Sequence, residues 1–405
     1  MDTSALQETA PASPLGHDLG AHFRELARFD STKALEASPL YARLRAEVGR
    51  VLDGVERDDF TRERAAGGAA AEAIRATAWN IERGARLEGV VRVLSEHPLM
   101  SESDVLLLTE LDYGMARSGN LHVTRELARA LGMAYAFAPC YINLSKGSGL
   151  ESGTEGENAL ALHGNAVLSR WPVRSAWSVA LPNGKDKMRG REKRLGSQRA
   201  VVCDVEHPSG LLRAVSLHLD AHSSQRHRRR QMKVVLDFLE TLSPRAPVLV
   251  GGDWNTSTYD SSRAVYSIAG FFRRVLMGAN HVIENHYLRP DRWFERGLFR
   301  ELEARGFSFR ELNEPRAGTL HYDVKDLAAN TNMGEWVPRW CFWWIEWALR
   351  DHGGRCSLKL DWFAGRGVEP DASQPPRVVG RLRGPSGEVL SDHDPIVLDF
   401  RLRGA

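Results

Sequence analysis

Short apolar runs that end in polar residues recur along this chain, and helical patterns separate the first of them. Residues 74–80 and 105–109 are mostly apolar, which is typical of buried strands. Each run is followed by apolar positions at three- and four-residue steps, as on one face of a helix: Leu87, Val90, Val91 and Leu94 after the first, and Val123, Leu127 and Leu131 after the second. Strands and helices therefore alternate in this part of the chain.

Later segments are mainly strand-like. A His-Pro-Ser-Gly turn at residues 207–210 separates two apolar stretches, 200–206 and 212–219, and predicts an antiparallel hairpin. A helix should follow, since Ser223 or Ser224 can cap it and an apolar stripe runs through residues 232–242. Further strands are predicted at residues 164–169, 248–250, 358–364 and 395–402.

The ends of these patterns suggest how the chain is divided. Residues 1–20 are rich in Ala, Ser and Pro without periodicity, and a helical pattern then runs to about residue 64. We therefore expect residues 1–70 to form a tail with a helical extension. Residues 71–405 should form the main domain, with an insertion at about 257–356.

Composition restricts the class of protein only loosely. The 405 residues are 42% apolar and 26% charged, as in ordinary globular proteins with a large core. The 54 basic and 52 acidic residues leave a net charge of +2, which argues against a protein whose whole surface grips nucleic acid.

Cysteine spacing and the N-terminal sequence favour a reducing compartment. The four cysteines, Cys140, Cys203, Cys341 and Cys356, lack close C-x-x-C spacing, so we expect free thiols. The first residues do not combine a basic stretch with an apolar one, and no apolar run is long enough to span a bilayer. We expect a soluble, cytoplasmic protein; the sequence leaves its oligomeric state open.

Polar side chains stand at one end of six predicted strands. Each taken alone has a structural explanation, such as a helix cap, a turn or a buried histidine. Together they predict one site assembled from several strand ends, because rigid scaffolds present chemistry in this way. These residues are Asn80, Glu110, His218, Asp253 with Asn255, Asp361, and Asp392 with His393.

The motifs around these residues resemble those of the endonuclease/exonuclease/phosphatase superfamily, and they occur in that superfamily's order over about residues 74–402. The superfamily includes deoxyribonuclease-I-like enzymes, abasic-site endonucleases, neutral sphingomyelinases and inositol polyphosphate 5-phosphatases. The resemblance implies a four-layer α/β sandwich of two mostly antiparallel sheets with outer helices. It also implies a divalent metal, usually Mg²⁺, with Mn²⁺ as the alternative. The motifs are Trp79-Asn80-Ile81, Leu107-Leu108-Thr109-Glu110, Gly164-Asn165-Ala166, Gln198-Arg199-Ala200, Ser216-Leu217-His218-Leu219, Gly252-Asp253-Trp254-Asn255, Leu360-Asp361-Trp362 and Ser391-Asp392-His393.

The resemblance also implies roles for individual residues. Asn80, Glu110 and Asp392 would hold the metal, with Glu82 either a further neighbour or a surface residue. The site as a whole would hydrolyse a phosphoester, which requires charge neutralisation, an activated water and a protonated leaving oxygen.

The remaining motif residues would act on the substrate. His393, held by Asp361, would be the base or contact the phosphate, and Asp253 would orient or activate the attacking water. Asn255 would hold a non-bridging oxygen. His218 would stabilise the phosphate or protonate the leaving group, and Arg199 would contact the scissile or a neighbouring phosphate.

Two segments bear on the substrate. Residues 185–199 are strongly basic, typical of either a solvated loop or a clamp for phosphates. Trp336 and Trp347 bound a tryptophan-rich stretch that could pack on the sandwich, stack on bases or enter a membrane surface. Nucleic acid is the favoured substrate. A lipid or small-molecule phosphoester is the alternative, and a non-catalytic binding module is less favoured because the expected catalytic positions are filled.

Overall fold

The computed structural model describes residues 14–61, 73–190, 192–323, 346–347 and 349–403. The strands are β1 (Glu56–Asp59), β2 (Ile74–Arg83), β3 (Val105–Tyr113), β4 (Ala134–Asn143), β5 (Leu162–Ser169), β6 (Val173–Ala180), β7 (Arg194–Gly196), β8 (Arg199–His207), β9 (Gly210–Ser216), β10 (Val248–Asp253), β11 (Leu320–Asp323), β12 (Arg355–Leu358), β13 (Asp361–Arg366), β14 (Val368–Pro370), β15 (Arg377–Val378) and β16 (Ile396–Leu402). The α-helices are α1 (Phe23–Leu26), α2 (Thr32–Glu36), α3 (Pro39–Asp53), α4 (Leu87–Glu96), α5 (Val123–Leu131), α6 (Gln225–Thr241), α7 (Ala264–Met277), α8 (Ala279–Val282) and α9 (Arg296–Ala304).

Two large sheets contain most of the strands. The first has the order β1-β4-β5-β3-β2-β16-β14, with β7 added to β4 and β15 to β16. The second has the order β13-β10-β9-β8-β6, and β11 pairs with β12 separately. Only β2 with β3 and β9 with β10 are parallel among the strand pairs of the described residues. Both sheets are therefore mostly antiparallel, as predicted.

Alternating side chains on the strands create three apolar layers. On β3, Leu107 points into the layer between the sheets, whereas Leu108 points outward against α4 and α5. On β10, Leu249 points between the sheets, and Val250 points outward against α6 and α9. The order of layers is helices, sheet, sheet, helices, which confirms the predicted four-layer sandwich.

The predicted hairpin is present, and one predicted strand is divided. β8 and β9 pair antiparallel up to His207 opposite Gly210. Residues 358–364 belong to two strands, because β12 ends at Leu358 and pairs with β11, whereas β13 begins at Asp361 and pairs with β10. The apolar pattern continues across the break, so the sequence did not show it.

The N-terminal extension is joined to the first sheet. The helix α3 begins after Ser38, whose hydroxyl accepts a hydrogen bond from the Tyr41 amide, and it packs its apolar face on the outer layer. The strand β1 then pairs with β4 at the sheet edge. The domain boundary at residue 71 remains a prediction. The strand β1 precedes this boundary in the sequence and yet belongs to the first large sheet.

The segment predicted as an insertion is only partly built into the sandwich. Its helix α9 packs against α6, and Phe299 and Phe309 join the outer apolar layer. Trp336, Trp340, Phe342, Trp343 and Trp344 lie outside the described residues, whereas Trp347 is described and 52% exposed. Cys140, Cys203 and Cys356 are free thiols. Within the described residues, no helix is both long and apolar enough to cross a bilayer.

Candidate active site

The pairing of two adjacent strands, β2 and β3, is irregular near two acidic residues. The pairing register shifts after Asn80 on β2 and after Leu108 on β3. In these irregular stretches Glu82 and Glu110 have φ values of +46° and +58°, which are uncommon for residues other than glycine. Backbone of this kind is held in place by its surroundings and is concentrated at functional sites.

Two glycines shape the strand that carries Asp253. A Cβ on Gly252 would lie 2.3 Å from the carbonyl oxygen of Leu217, and its φ is +131°. A Cβ on Gly251 would lie 2.7 Å from the side chain of Leu107 in the other sheet. Gly252 therefore cannot take a side chain without strain, and a side chain at Gly251 would have to displace Leu107 or Phe363; β10 thus approaches its neighbours closely just before Asp253.

The carboxylate of Asp253 lies at the centre of the site. Its Oδ2 accepts a hydrogen bond from Asn80 Nδ2 at 3.2 Å. The same oxygen lies 3.3 Å from His218 Nε2 and 3.7 Å from His393 Nε2. All four side chains are buried. Residues from β2, β10 and two loops therefore converge on one oxygen atom.

His393 lies between two buried carboxylates, those of Asp361 and Asp253. Its Nδ1 lies 2.8 Å from Oδ2 of the buried Asp361, which is paired with Asp253 across β10 and β13. Burial lowers the pKa of His393, but the charges of Asp361 and Asp253 outweigh that effect and raise it well above the usual value. The carboxylate of Asp361 therefore fixes which nitrogen of His393 faces the site.

Hydrogen bonds tie the loop before β16 to β2. The hydroxyl of Ser391 donates to the carbonyl of Asn80 at 2.6 Å and accepts from the amide of His393 at 3.1 Å. The indole of Trp79 donates to the carbonyl of His393 at 2.9 Å. These bonds explain why the motifs at the two ends of the domain meet.

Acidic side chains crowd the edge next to Asp253. The amide of Asn80 donates to Glu110 at 3.1 Å. Burial disfavours ionised Glu110, but the charges of Arg83, His218 and His163 outweigh it and lower its pKa below the usual range. The side chain of Asp392 is exposed, although the surrounding protein partly desolvates it. This desolvation, together with the charges of Glu110 and Asp253, raises the pKa of Asp392 against the opposing charge of His393.

Glu82 interacts electrostatically with the same acidic group. Desolvation, followed by the charges of Asp392 and Glu110, raises the pKa of Glu82 to about 7. Carboxylates that raise one another's pKa are stabilised when a cation binds between them, and oxygen donors are what Mg²⁺ prefers. Among the described residues, ligand atoms of Asp253, Asp361 and His393 also lie within 4.8 Å of one another. These three residues are the closely spaced donors, and the acidic group adds negative charge beside them.

Asn255 and Arg199, which were predicted to bind substrate, form hydrogen bonds with other residues of the protein. Asn255 is buried, and its amide donates to the carbonyl of Leu219 at 3.0 Å. Its φ of +52° turns the chain, and its backbone N–H donates to Asp253 Oδ1 at 3.0 Å. Arg199 donates to Asp53 of α3 at 2.7 Å and to Ser178 at 3.1 Å. The contacts described for Arg199 therefore connect it to the N-terminal extension.

A buried ionic network behind Glu110 was not foreseen from the sequence. Asp112 accepts from Arg117 at 2.8 Å and lies 2.8 Å from His163 Nδ1. Arg83 lies 3.0 Å from Glu151 in an adjoining ion pair. Asp112 follows Glu110 by two residues on a strand, and this spacing was the available signal.

Most cations of the basic stretch 185–199 lie in ion pairs. Lys193 bonds Asp30 at 2.8 Å and two backbone carbonyls of the extension. Lys187 lies 3.7 Å from Asp220, and Arg194 lies 2.9 Å from Glu192. The segment therefore fastens the N-terminal extension to the sandwich, and Arg191 lies outside the described residues.

The fold is therefore a two-sheet sandwich in which buried histidines and carboxylates converge at one site. The sequence model of the endonuclease/exonuclease/phosphatase family matches residues 77–393, and the chain belongs to this family. Members of the family are phosphoester hydrolases that generally depend on a divalent metal.

Several solved structures resemble the chain. An endonuclease/exonuclease/phosphatase from Beutenbergia cavernae DSM 12333 is 18% identical, with a TM-score of 0.48 and coverage of 82% of this chain and 72% of the other. D. rerio TDP2 complexed with single strand DNA product is 14% identical, with a TM-score of 0.45 and coverage of 82% and 100%. The 3'-5' exonuclease (NExo) from Neisseria Meningitidis is 14% identical, with a TM-score of 0.45 and coverage of 81% and 100%. No curated protein matches the sequence.

Proposed function

We propose that this protein hydrolyses phosphodiester bonds with a bound divalent cation, Mg²⁺ or Mn²⁺. One observation carries the proposal: a single carboxylate oxygen of Asp253 faces two histidines and an asparagine beside the acidic group of Glu110 and Asp392. Groups that accept a proton, donate a proton and bind a cation therefore adjoin one another, as phosphoester hydrolysis requires.

Three side chains of the site have separate roles in the proposed reaction. Asp253 Oδ2 orients the attacking water and accepts its proton as the new oxygen–phosphorus bond forms. His218 Nε2 gives a proton to the leaving oxygen as the old bond breaks. His393, with its raised pKa and its Nδ1 held by Asp361, presents a positive Nε2–H to a non-bridging oxygen.

Asn80, Glu110 and Asp392 are the residues we assign to the cation. When bound, it supplies positive charge to the phosphate oxygens. Asn80 also orients Asp253 through its amide hydrogen bond. Asn255 supports the turn after β10 through its bond to Leu219, so its expected contact with a phosphate oxygen would require this bond to change.

Nucleic acid remains the first substrate class that we propose, on the basis of the family. The basic stretch supports it less than the sequence indicated, since Lys193 and Arg199 are paired with acidic residues of the extension. A lipid phosphoester is the second candidate. The observation that favours it is a group of exposed apolar side chains on α7, described below.

Hydrolysis of bis-p-nitrophenyl phosphate with Mg²⁺ tests the reaction. Asp253→Ala and His393→Ala should each lower the rate by about 10²-fold or more, the usual contribution of a positioned acid or base. The exposed Asp59, on β1, supplies the matched control Asp59→Ala, which should hydrolyse at the wild-type rate. Wild-type rates in both site variants would refute the assignment. Panels of oligonucleotides and phospholipids then distinguish the substrate classes.

A further inference from the structure

The helix α7 has its apolar side turned to solvent. Val265, Ile268, Phe272, Val275 and Leu276 follow helical spacing and share one face. They are between 58% and 87% exposed, and none joins an apolar cluster of the described residues. A surface helix normally buries such a face, whereas nothing in the described part of the chain covers this one.

The opposite face of α7 contacts the protein. A Cβ on Gly270 would lie 3.5 Å from the ring of Tyr259. The guanidinium of Arg274, one turn later on the same face, lies 4.5 Å from the centre of that ring. Tyr259 is itself bonded to His286 at 2.6 Å. The helix is thus attached by its small and polar side, and its apolar side points away.

The surrounding segment is exposed and positively charged. Nine of the eleven large apolar residues that are exposed in the described part of the chain lie between residues 265 and 347. They include Trp293 and Trp347, each with an arginine guanidinium over its ring, at 6.0 and 5.0 Å. Residues 263–300 contain seven arginines and three acids, a net charge of +4. The whole chain carries only +2.

We infer that α7 docks this protein on the surface of an anionic lipid membrane, with its apolar face inserted between the headgroups. Four of the five side chains of this face, Val265, Ile268, Val275 and Leu276, are aliphatic and suit acyl chains, whereas only Phe272 has a ring on which a base could stack. The net positive charge suits anionic headgroups. The same charge disfavours pairing with a second copy, and a stripe of five side chains is small beside the ~1,600 Å² of a standard protein interface.

The position of α7 gives docking a consequence for the site. The amide of Ser261 donates to the carbonyl of His222 at 3.1 Å, and Thr258 donates to the carbonyl of Asn255 at 2.8 Å. The chain therefore passes from the proposed active site into α7 within a few residues. Docking would hold this edge of the sandwich close to the membrane. The inference goes beyond the proposed hydrolysis and does not require it.

Vesicle flotation tests the inference, with phosphatidylcholine vesicles that contain or lack phosphatidylserine. The wild-type chain should float with the anionic vesicles and bind the neutral ones less. The double variant Ile268→Ser/Leu276→Ser should bind anionic vesicles at least about tenfold more weakly, since it removes two exposed aliphatic side chains without changing charge. Leu121, which is 43% exposed outside the segment, provides the control Leu121→Ser, which should bind as the wild type does.

Three results would overturn the inference: no wild-type flotation, equal binding by the double variant, or a wild-type dimer in sedimentation that the double variant loses. The double variant should hydrolyse bis-p-nitrophenyl phosphate at the wild-type rate, which also shows that it folds. Asp253→Ala should float normally. Failure of docking and failure of the proposed hydrolysis are thus separate outcomes.

Discussion

The Nδ1 atom of His393 lies 2.8 Å from Oδ2 of Asp361, with both side chains buried. Asp361 is fixed by its position opposite Asp253 in the β10–β13 pair, so this contact determines where the second nitrogen of His393 lies. That nitrogen is 3.7 Å from Asp253. The spacing of β10 and β13 in one sheet therefore sets the geometry of a histidine that comes from the loop before β16, a strand of the other sheet.

Replacing Asp361 tests its role as a positioning residue. Asp361→Asn removes the charge that raises the pKa of His393, so the His393 titration should move to lower pH. We expect kcat to fall by about 10²-fold or more, with a smaller change in KM. A pH–rate profile measures both effects. Asp59→Asn is the control, and an unmoved profile in Asp361→Asn would contradict the assignment.

Divalent cation binding should stabilise the fold even without substrate. Mg²⁺ at 100 times its Kd would add about 2.7 kcal/mol to the free energy of unfolding. Glu110→Gln should remove most of this gain, because it deletes a charged oxygen donor at the proposed site. Thermal melts with Mg²⁺ and with a chelator measure the gain. An equal Mg²⁺-dependent increase in Glu110→Gln would exclude Glu110 as a ligand.

Gly252→Ala should lower the free energy of unfolding by about 2 kcal/mol or more. The new Cβ would meet the carbonyl oxygen of Leu217, and the φ of +131° is strained for alanine. Gly49 in α3 is the matched control, because no atom beyond its chain neighbours and the adjoining backbone of its own helix lies within 4 Å of the position that an added methyl group would occupy. Gly49→Ala should stabilise by about 0.5–1 kcal/mol, as expected within a helix. Urea unfolding measures both, and a neutral Gly252→Ala would contradict the close approach.

A buried ion pair should make stability depend on pH. Glu295 accepts from Arg228 at 2.7 Å, and burial raises its pKa to about 7 although the charge of Arg228 opposes this. A raised carboxyl pKa favours the folded state below the unfolded pKa of about 4.5, and this contribution is lost as pH rises through 7.

The loss across that window should be roughly 3 kcal/mol, at about 1.4 kcal/mol for each unit of pKa shift. Urea unfolding between pH 4.5 and pH 8 measures it. Glu295→Gln should flatten the dependence, whereas the exposed Glu157 supplies a control, Glu157→Gln, that should keep it. The same slope in Glu295→Gln and the wild type would assign the dependence to other groups.

Much of the fold was predictable because its signals are local. The apolar runs and the turn at residues 207–210 predicted the hairpin, and the ordered motifs predicted the four layers. The irregular pairing at Glu110 was not predictable, since a register shift depends on what the neighbouring strands allow. The division of residues 358–364 was missed for the same reason: the two halves differ in partner, not in apolar pattern.

The sequence predicted which residues would meet at the candidate site better than it predicted their arrangement. Asn80, His218, Asp253, Asp361 and His393 are in contact as a group, whereas their chemical roles remain predictions. Arg199 was expected at the substrate, and its described contacts are with Asp53 and Ser178 instead. Sequence spacing cannot reveal that pairing, because Asp53 lies 146 residues away.

By itself, the sequence determined which polar groups lie at the strand ends and in what order, because each apolar strand and the polar residue at its end are neighbours in the sequence. The tertiary structure decided how far apart those groups lie and which cations are already paired. It also decided that the apolar face of α7 points outward. Each of these depends on contacts between distant parts of the chain, where packing rather than local preference selects the arrangement.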